Sequence, residues 1–141
     1  MKRALSFSCL VLLLILFGMT KISFSQSNPV LFFCESYDPA YGEVGVSDRF
    51  TTGYLTVMII ADDPLGLSKC SIQYDKLNFY SGKFEYYKKF NFVVQPDMNY
   101  IYFSKNENAD MKFEEPGIYR VFLLDSYDKT VASALIEIIP E

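Results

Sequence analysis

Short runs of β-branched and aromatic residues, separated by turn signals at roughly 8–15 residue intervals, fill the sequence from residue 30 to residue 138. No stretch of this region keeps the apolar period of about 3.6 residues that marks an amphipathic helix. The run at residues 54–62 is apolar on both of its alternating faces, which predicts a central strand covered on both sides. The dipeptide Ser81-Gly82 between two apolar runs predicts a hairpin turn. This pattern is typical of an all-β fold and predicts an antiparallel β-sandwich of about seven strands.

Two segments are less regular. On residues 83–94 the alternation places Phe84, Tyr86, Phe90, Phe92 and Val94 on one face, interrupted by Lys88, the first residue of the pair Lys88-Lys89. We interpret that pair as charges that keep a long aromatic strand from edge-to-edge pairing, rather than as a basic binding patch. Residues 37–53 are polar and glycine-containing, and either hold a short edge strand near residues 43–46 or form a functional loop.

Residues 1–25 have the pattern of a secretory signal peptide, which leaves residues 26–141 as a single domain. Lys2 and Arg3 precede a continuous apolar run, and Ser23 and Ser25 are small residues at the positions that precede a cleavage site. An uncleaved membrane anchor is disfavoured because a spanning helix needs about 20 apolar residues. We therefore expect an exported protein, periplasmic or secreted, with no membrane span after cleavage.

The composition excludes several kinds of partner and site. The chain has 13 basic and 17 acidic residues, and three of the basic ones lie within the predicted signal peptide. The remaining domain is strongly acidic, so nucleic acid and anionic lipid are disfavoured as partners. The chain has no histidine, which excludes Ser–His–Asp and Cys–His catalysis and ordinary zinc sites.

Acidic residues offer two further alternatives, and we favour neither. Calcium takes six to eight oxygen ligands, roughly, from acidic loops, and the candidates here are Asp62, Asp63, Asp125 and Asp128. Their spacing matches no calcium-binding loop, and isolated acidic residues commonly form turns. Glu114 and Glu115 are the candidate carboxylate pair of a glycosidase, but they fall in a polar crossover between strands. We expect no enzyme, no metal and no cofactor.

Two cysteines remain after the signal peptide, Cys34 and Cys70. Export permits a disulfide between them. Each also lies in a strand-like run, where a free cysteine serves as a small buried hydrophobe. Both alternatives stay open from the sequence.

Tyrosines are concentrated in the middle of the chain. If Tyr86, Tyr87, Tyr100 and Tyr102 point outward from one sheet, they form a platform that binds a sugar ring or a protein, because tyrosine combines a broad apolar face with a polar tip. The alternative is that these side chains pack the sandwich with their hydroxyls at its rim.

The C-terminal residues 114–138 carry the one family resemblance. The sequence Glu-Glu-Pro-Gly-Ile-Tyr-Arg-Val, followed by an apolar run, a polar turn and a second run, resembles the last hairpin of immunoglobulin-like domains. The resemblance implies a small exported bacterial immunoglobulin-like β-sandwich, in which Tyr119 is the structural tyrosine corner whose hydroxyl bonds back to the crossover. The chain departs from antibody domains in having no tryptophan and in carrying Val121 where they have a cysteine.

The same hairpin has a second apolar face that the sandwich does not require. Phe122, Leu124 and Leu135 are its members, and either this chain or another chain covers them. We expect a non-enzymatic binding or accessory module that acts in protein–protein interaction or assembly at the cell envelope. The alternative is a carbohydrate-binding module that uses the tyrosines, so the expected partner is a protein or an envelope glycan.

Overall fold

A computed structural model describes residues 28–141, so the predicted signal peptide lies outside the described residues. Within residues 28–141 no helix is long and apolar enough to cross a membrane. These residues form twelve β-strands: β1 Val30–Cys34, β2 Ser36–Asp38, β3 Gly42–Val44, β4 Arg49–Thr51, β5 Gly53–Tyr54, β6 Thr56–Ile60, β7 Lys69–Asn78, β8 Lys83–Val93, β9 Tyr100–Phe103, β10 Lys112–Phe113, β11 Gly117–Leu124 and β12 Thr130–Ile139.

Two sheets face each other and form the sandwich. One has three strands in the order β1-β6-β9, and the other has five in the order β4-β12-β11-β7-β8. Two short ribbons, β2–β3 and β5–β10, complete the fold. All neighbouring strands are antiparallel except β12 and β4, which run parallel at one edge. The predicted all-β sandwich is confirmed, with eight strands in its two main sheets and one parallel pair.

The core lies between the sheets and is built by alternate residues of their central strands. Val57 and Ile59 of β6 face Ile72 and Tyr74 of β7, and all four side chains are fully buried. Val121 on β11 belongs to the same cluster. Burying apolar area of this kind contributes roughly 25 cal/mol per Å² and is the main force that holds two sheets face to face.

Strand β6 is covered on both sides, as its sequence predicts. Thr56, Val57, Met58 and Ile59 are all buried, although only Val57 and Ile59 belong to the cluster between the sheets. The other side of β6 is covered by the β2–β3 ribbon, which arises from the irregular residues 37–53. Tyr37 of that ribbon stacks on Tyr102 of β9, with ring centroids 4.5 Å apart.

The prediction that Phe84 and Tyr86 share a face with Phe90 and Phe92 is wrong, because β8 contains a β-bulge. The pairing with β7 shifts register between Tyr74 and Asp75, so that Tyr74 pairs with Lys88 whereas Asp75 pairs with Tyr86. Tyr87 is the extra residue of the bulge, and it reverses the alternation on either side of itself. Phe90 and Phe92 therefore pack on the core, whereas Phe84 and Tyr86 lie on the outer side of the five-stranded sheet.

The disulfide considered between Cys34 and Cys70 is not formed, and both cysteines are buried free thiols. Cys70 belongs to the core between the sheets. Cys34 points to the opposite side of the three-stranded sheet, beneath the β2–β3 ribbon, where burial raises the pKa of its thiol. The sheet itself separates the two sulfur atoms, and each serves as a small buried apolar group.

Candidate functional site

The four candidate tyrosines do not share one face. Tyr86 and Tyr87 lie on β8 of the five-stranded sheet, and Tyr100 and Tyr102 lie on β9 of the three-stranded sheet. The bulge further separates Tyr86, which points outward and is 67% exposed, from Tyr87, which packs inward. The predicted single platform is therefore divided into separate surfaces.

Tyr87 belongs to the tyrosine corner and not to an open platform. Its ring packs edge-on against Tyr119 with centroids 5.4 Å apart, and its hydroxyl donates to Glu114 at 3.3 Å. The hydroxyl of Tyr119 donates to the backbone carbonyl of Glu115 at 2.7 Å, which is the bond that the resemblance implied. Burial raises the pKa of Tyr119, so this hydroxyl stays protonated as a donor.

Gly117 allows the crossover to approach this corner. Its φ of +152° is a conformation that other residues rarely adopt, and a Cβ atom there would lie 2.9 Å from Cε of Lys76. Lys76 in turn forms an ion pair with Glu115. The Pro-Gly dipeptide before β11 is thus part of a structural corner.

A tyrosine cluster, consisting of Tyr37, Tyr100, Tyr102 and Glu43, lies where the β2–β3 ribbon meets β9. The rings of Tyr37 and Tyr102 are stacked at an interplanar angle of 19°, and the hydroxyl of Tyr100 donates to the carboxylate of Glu43. This bond raises the pKa of Tyr100 to about 12 and lowers the pKa of Glu43. Tyr100 and Tyr102 remain partly exposed, so the cluster offers aromatic faces beside a carboxylate.

The outer face of the five-stranded sheet is the second surface, and its members are Phe84, Tyr86, Arg120, Phe122 and Leu135. The guanidinium of Arg120 lies between two rings, 4.5 Å from the centroid of Phe84 and 4.9 Å from that of Phe122. Leu135, which pairs with Arg120 across the sheet, is 56% exposed. Aromatic rings around an arginine form a composition that is enriched in protein interfaces.

The three residues predicted for this second apolar face have different environments. Leu124 is only 5% exposed, because it lies where the turn from Asp125 to Lys129 closes the hairpin. Phe122 is half-buried beside Arg120. Leu135 stays open to solvent. This chain therefore covers Leu124 and leaves Leu135 uncovered.

Three of the six acidic candidates pair with lysines: Glu114, Glu115 and Asp128. Lys88 contacts Glu114 at 3.0 Å and donates to the backbone carbonyl of Lys112 at 3.2 Å, and Lys89 pairs with Asp128. The Lys88 ammonium lowers the pKa of Glu114, which disfavours Glu114 as a proton donor. Among residues 28–141 no three acidic or cysteine side chains come together where they would hold a metal ion.

The turn of the β7–β8 hairpin, here called the hairpin tip and consisting of residues 78–82, is a surface that the sequence interpretation missed. Phe79 is 70% exposed and Tyr80 is fully exposed. The oxygen of the Asn78 side chain accepts the backbone N–H groups of Tyr80 at 2.9 Å and Ser81 at 3.2 Å. The signal in the sequence is Asn78, four residues before Gly82, because asparagine commonly starts a turn. The turn therefore begins at Asn78, and Phe79 and Tyr80 belong to the turn and not to the strand.

An apolar groove lies at the other end of β8, between that strand and β9. It has a volume of about 360 Å³. Its lining residues are all uncharged: Phe92, Val93, Val94, Gln95, Met98, Tyr100, Ile101, Tyr102 and Phe103. Among these, Phe92 and Phe103 join the two sheets, with ring centroids 4.8 Å apart.

No protein-family model and no curated protein matches the chain. The structure is similar to the crystal structure of an immunoglobulin-like protein from Pseudomonas aeruginosa, with a TM-score of 0.45 and 9% sequence identity. The match covers 82% of this chain and 99% of that chain. The two facing sheets and the Tyr119 corner bond are those of the predicted all-β, immunoglobulin-like fold.

Proposed function

We propose that the chain is an exported, non-enzymatic binding module that contacts another protein at the cell envelope through the outer face. The observation that carries this proposal is that Tyr86 and Leu135 are more than half exposed and, with the half-buried Phe84 and Phe122, make the centre of that face apolar. Export rests on the signal pattern of residues 1–25.

Monomeric proteins rarely expose a large contiguous apolar patch. Single exposed apolar side chains are normal, but a contiguous apolar patch with a polar rim marks an interaction surface. Here the rim is supplied by Gln73, Lys89, Ser133 and Glu137, which lie beside the apolar residues on the same strands. Arginine and aromatic residues at the centre are those that most often dominate binding energy.

The test is a quantitative pull-down from native envelope extract with the mature protein. Leu135→Asp places a charge at the centre of the outer face, and we expect it to lower recovery of the specific partner at least about tenfold. Tyr127→Ser is the control, because Tyr127 is also an exposed apolar side chain, 89% exposed, but lies on the β11–β12 turn. Recovery of the same protein at the same level with Leu135→Asp would remove the proposal.

A second candidate function is carbohydrate binding at the tyrosine cluster. The observation in its favour is the stacked pair Tyr37–Tyr102 beside the carboxylate of Glu43. An aromatic face packs on a sugar ring, while a carboxylate accepts hydroxyl hydrogens. Binding on a glycan array should be lost in Tyr102→Ala and kept in Tyr86→Ala, and an array without signal for the wild-type protein would count against it.

A further inference from the structure

We propose that the chain associates head to tail with itself, the hairpin tip of one copy entering the apolar groove of the next. This inference goes beyond the proposed function, because it involves neither Arg120 nor the other residues of the outer face. The two complementary parts lie on the same molecule, at opposite ends of β8.

The hairpin tip has the properties of an inserting element. Phe79 and Tyr80 are adjacent and almost entirely exposed. Besides the two bonds to the Asn78 side chain, the backbone N–H of Gly82 donates to the carbonyl of Asn78 at 2.8 Å, and the Asn78 amide donates to Glu85 at 2.9 Å. Gly82 has φ of +66°, which the turn requires. Because the turn is fixed in advance, binding costs little conformational entropy.

The apolar groove has the matching chemistry. Its lining includes no charged side chain, whereas four other surface pockets of about 290–410 Å³ each contain at least one. Its walls are open, since Val93 and Met98 are substantially exposed. Its volume of about 360 Å³ lies within the range of roughly 300–1,000 Å³ that is common for binding pockets.

A lysine beside the tip is opposite in charge to the loops beside the groove. Lys83 is exposed and forms no ion pair among residues 28–141, whereas Lys76 is paired with Glu115 and the carboxylate of Glu85 accepts the Asn78 amide. The two loops beside the groove, residues 61–66 and 95–99, have three aspartates and no basic residue. These loops are joined by the bond from the N–H of Leu65 to the carbonyl of Met98 at 2.9 Å. An inserted tip therefore brings Lys83 towards an acidic rim, and this attraction favours one orientation.

The positions of the two parts determine the kind of assembly. Strand β8 separates the tip from the groove by about 33 Å at the usual rise per residue. A contact between two different surfaces of identical chains is heterologous, so it generates a ring or an open chain and not a symmetric dimer. Each aromatic side chain buries about 150–250 Å², so the contact is at the weak end of specific interfaces.

The experiment is sedimentation velocity of the mature protein over a concentration series up to about 1 mM, the range that a weak interface requires. We expect the weight-average sedimentation coefficient of the wild-type protein to rise with concentration. The double variant Phe79→Ser, Tyr80→Ser in the tip and Val93→Lys in the groove should each weaken association at least about tenfold. All three positions are exposed, and unchanged thermal unfolding will verify that the variants are folded.

Two controls separate this inference from the proposed function. Tyr127→Ser removes an equally exposed aromatic residue from the β11–β12 turn, and Leu135→Asp alters the outer face; neither should change self-association. Loss of association in Leu135→Asp alone would assign the contact to the outer face and contradict the inference.

Mixing the variants gives the decisive result. The tip variant keeps an intact groove, and the groove variant keeps an intact tip, so an equimolar mixture should form one heterodimer that cannot grow further. A wild-type protein that stays monomeric throughout the series, a tip variant that associates normally, or a mixture that fails to form the heterodimer would each overturn the inference.

Discussion

Tyr119 shows how one side chain joins the sequence pattern to the fold. It is fully buried, stacks edge-on against Phe113 with centroids 5.1 Å apart, and donates its hydroxyl to the carbonyl of Glu115. Burying the ring stabilises the core, while the hydroxyl satisfies a carbonyl that the crossover would otherwise leave unpaired. The C-terminal hairpin allowed this role to be predicted because a corner is a local feature, confined to a few consecutive residues.

The change Tyr119→Phe tests the corner bond. It keeps the ring and removes the 2.7 Å hydrogen bond, so we expect the free energy of unfolding to fall by about 1 kcal/mol. Urea denaturation followed by far-ultraviolet circular dichroism measures the difference. Tyr127→Phe, at an exposed position, is the control and should show no change. Equal stability of the two variants would contradict the structural role.

The β2–β3 ribbon acts as a cover for one side of the three-stranded sheet. Its ring contact between Tyr37 and Tyr102 holds it above Met58 and Cys34, which are fully buried although they lie outside the core. Burial raises the pKa of the Cys34 thiol, with a smaller contribution from the charge of Glu43. Closed, the ribbon therefore keeps this thiol both inaccessible and protonated.

Opening of the ribbon can be read from the chemical reactivity of Cys34. We expect Tyr37→Ala to increase the rate of Cys34 alkylation by iodoacetamide at neutral pH several-fold, since the lost ring contact is worth about 0.5–1.5 kcal/mol. Peptide mass spectrometry measures the two thiols separately. Cys70, which lies in the core, is the internal control and should keep its slow rate. Parallel acceleration at both cysteines would indicate global unfolding and not opening of the ribbon.

The strands differ in how far their sequences determine them. Strand β6 could be predicted because both of its faces are apolar and its neighbours cover both. The face on which Phe84 and Tyr86 lie could not be predicted. The register shift between Tyr74 and Asp75 depends on the partner strand and on which rings fit the core. For the same reason the sequence did not decide whether Cys34 and Cys70 form a disulfide. Alternation within a strand does not tell which of its faces meets the other sheet.

The sequence indicated single residues of the candidate surfaces, but it did not show which residues come together on one surface. Leu135 was recognised as apolar on the second face, but Arg120 and Phe84 reach the same place only through strand pairing and the bulge. Phe79 and Tyr80 look like strand residues until the side chain of Asn78 is seen to fix the turn. Contacts between distant segments carry this information, and no local pattern contains it.

At the scale of the whole molecule, the core contains three acidic groups that burial keeps protonated. Burial raises the pKa of Cys70 from its ordinary value of 9.0 to about 11, and it also raises the pKa values of Tyr74 and Tyr119. The hydroxyl of Tyr74 donates to the carbonyl of Met111 at 3.4 Å in the same core. Folding is thus coupled to the protonated form of each group.

The fold should therefore lose stability at alkaline pH. A group whose pKa is raised on folding contributes its full stability below the unfolded value, and this contribution is lost as the pH rises towards the folded value. For Cys70 the window runs from about pH 9 to about pH 11 and corresponds to at most about 3 kcal/mol, because each pKa unit is worth about 1.4 kcal/mol. Urea denaturation at successive pH values measures it. Cys70→Ala should show a smaller decline over this window, and an identical pH profile would contradict the linkage.

The order of the five-stranded sheet also affects when the molecule can fold. β12, the last described strand in the chain, is not at an edge but lies between β4 and β11. During synthesis β4 therefore has no partner in that sheet until residues 130–139 have left the ribosome. Contacts across such sequence distances are slow to form. The five-stranded sheet is consequently complete only after residues 130–139 become available to pair with β4 and β11.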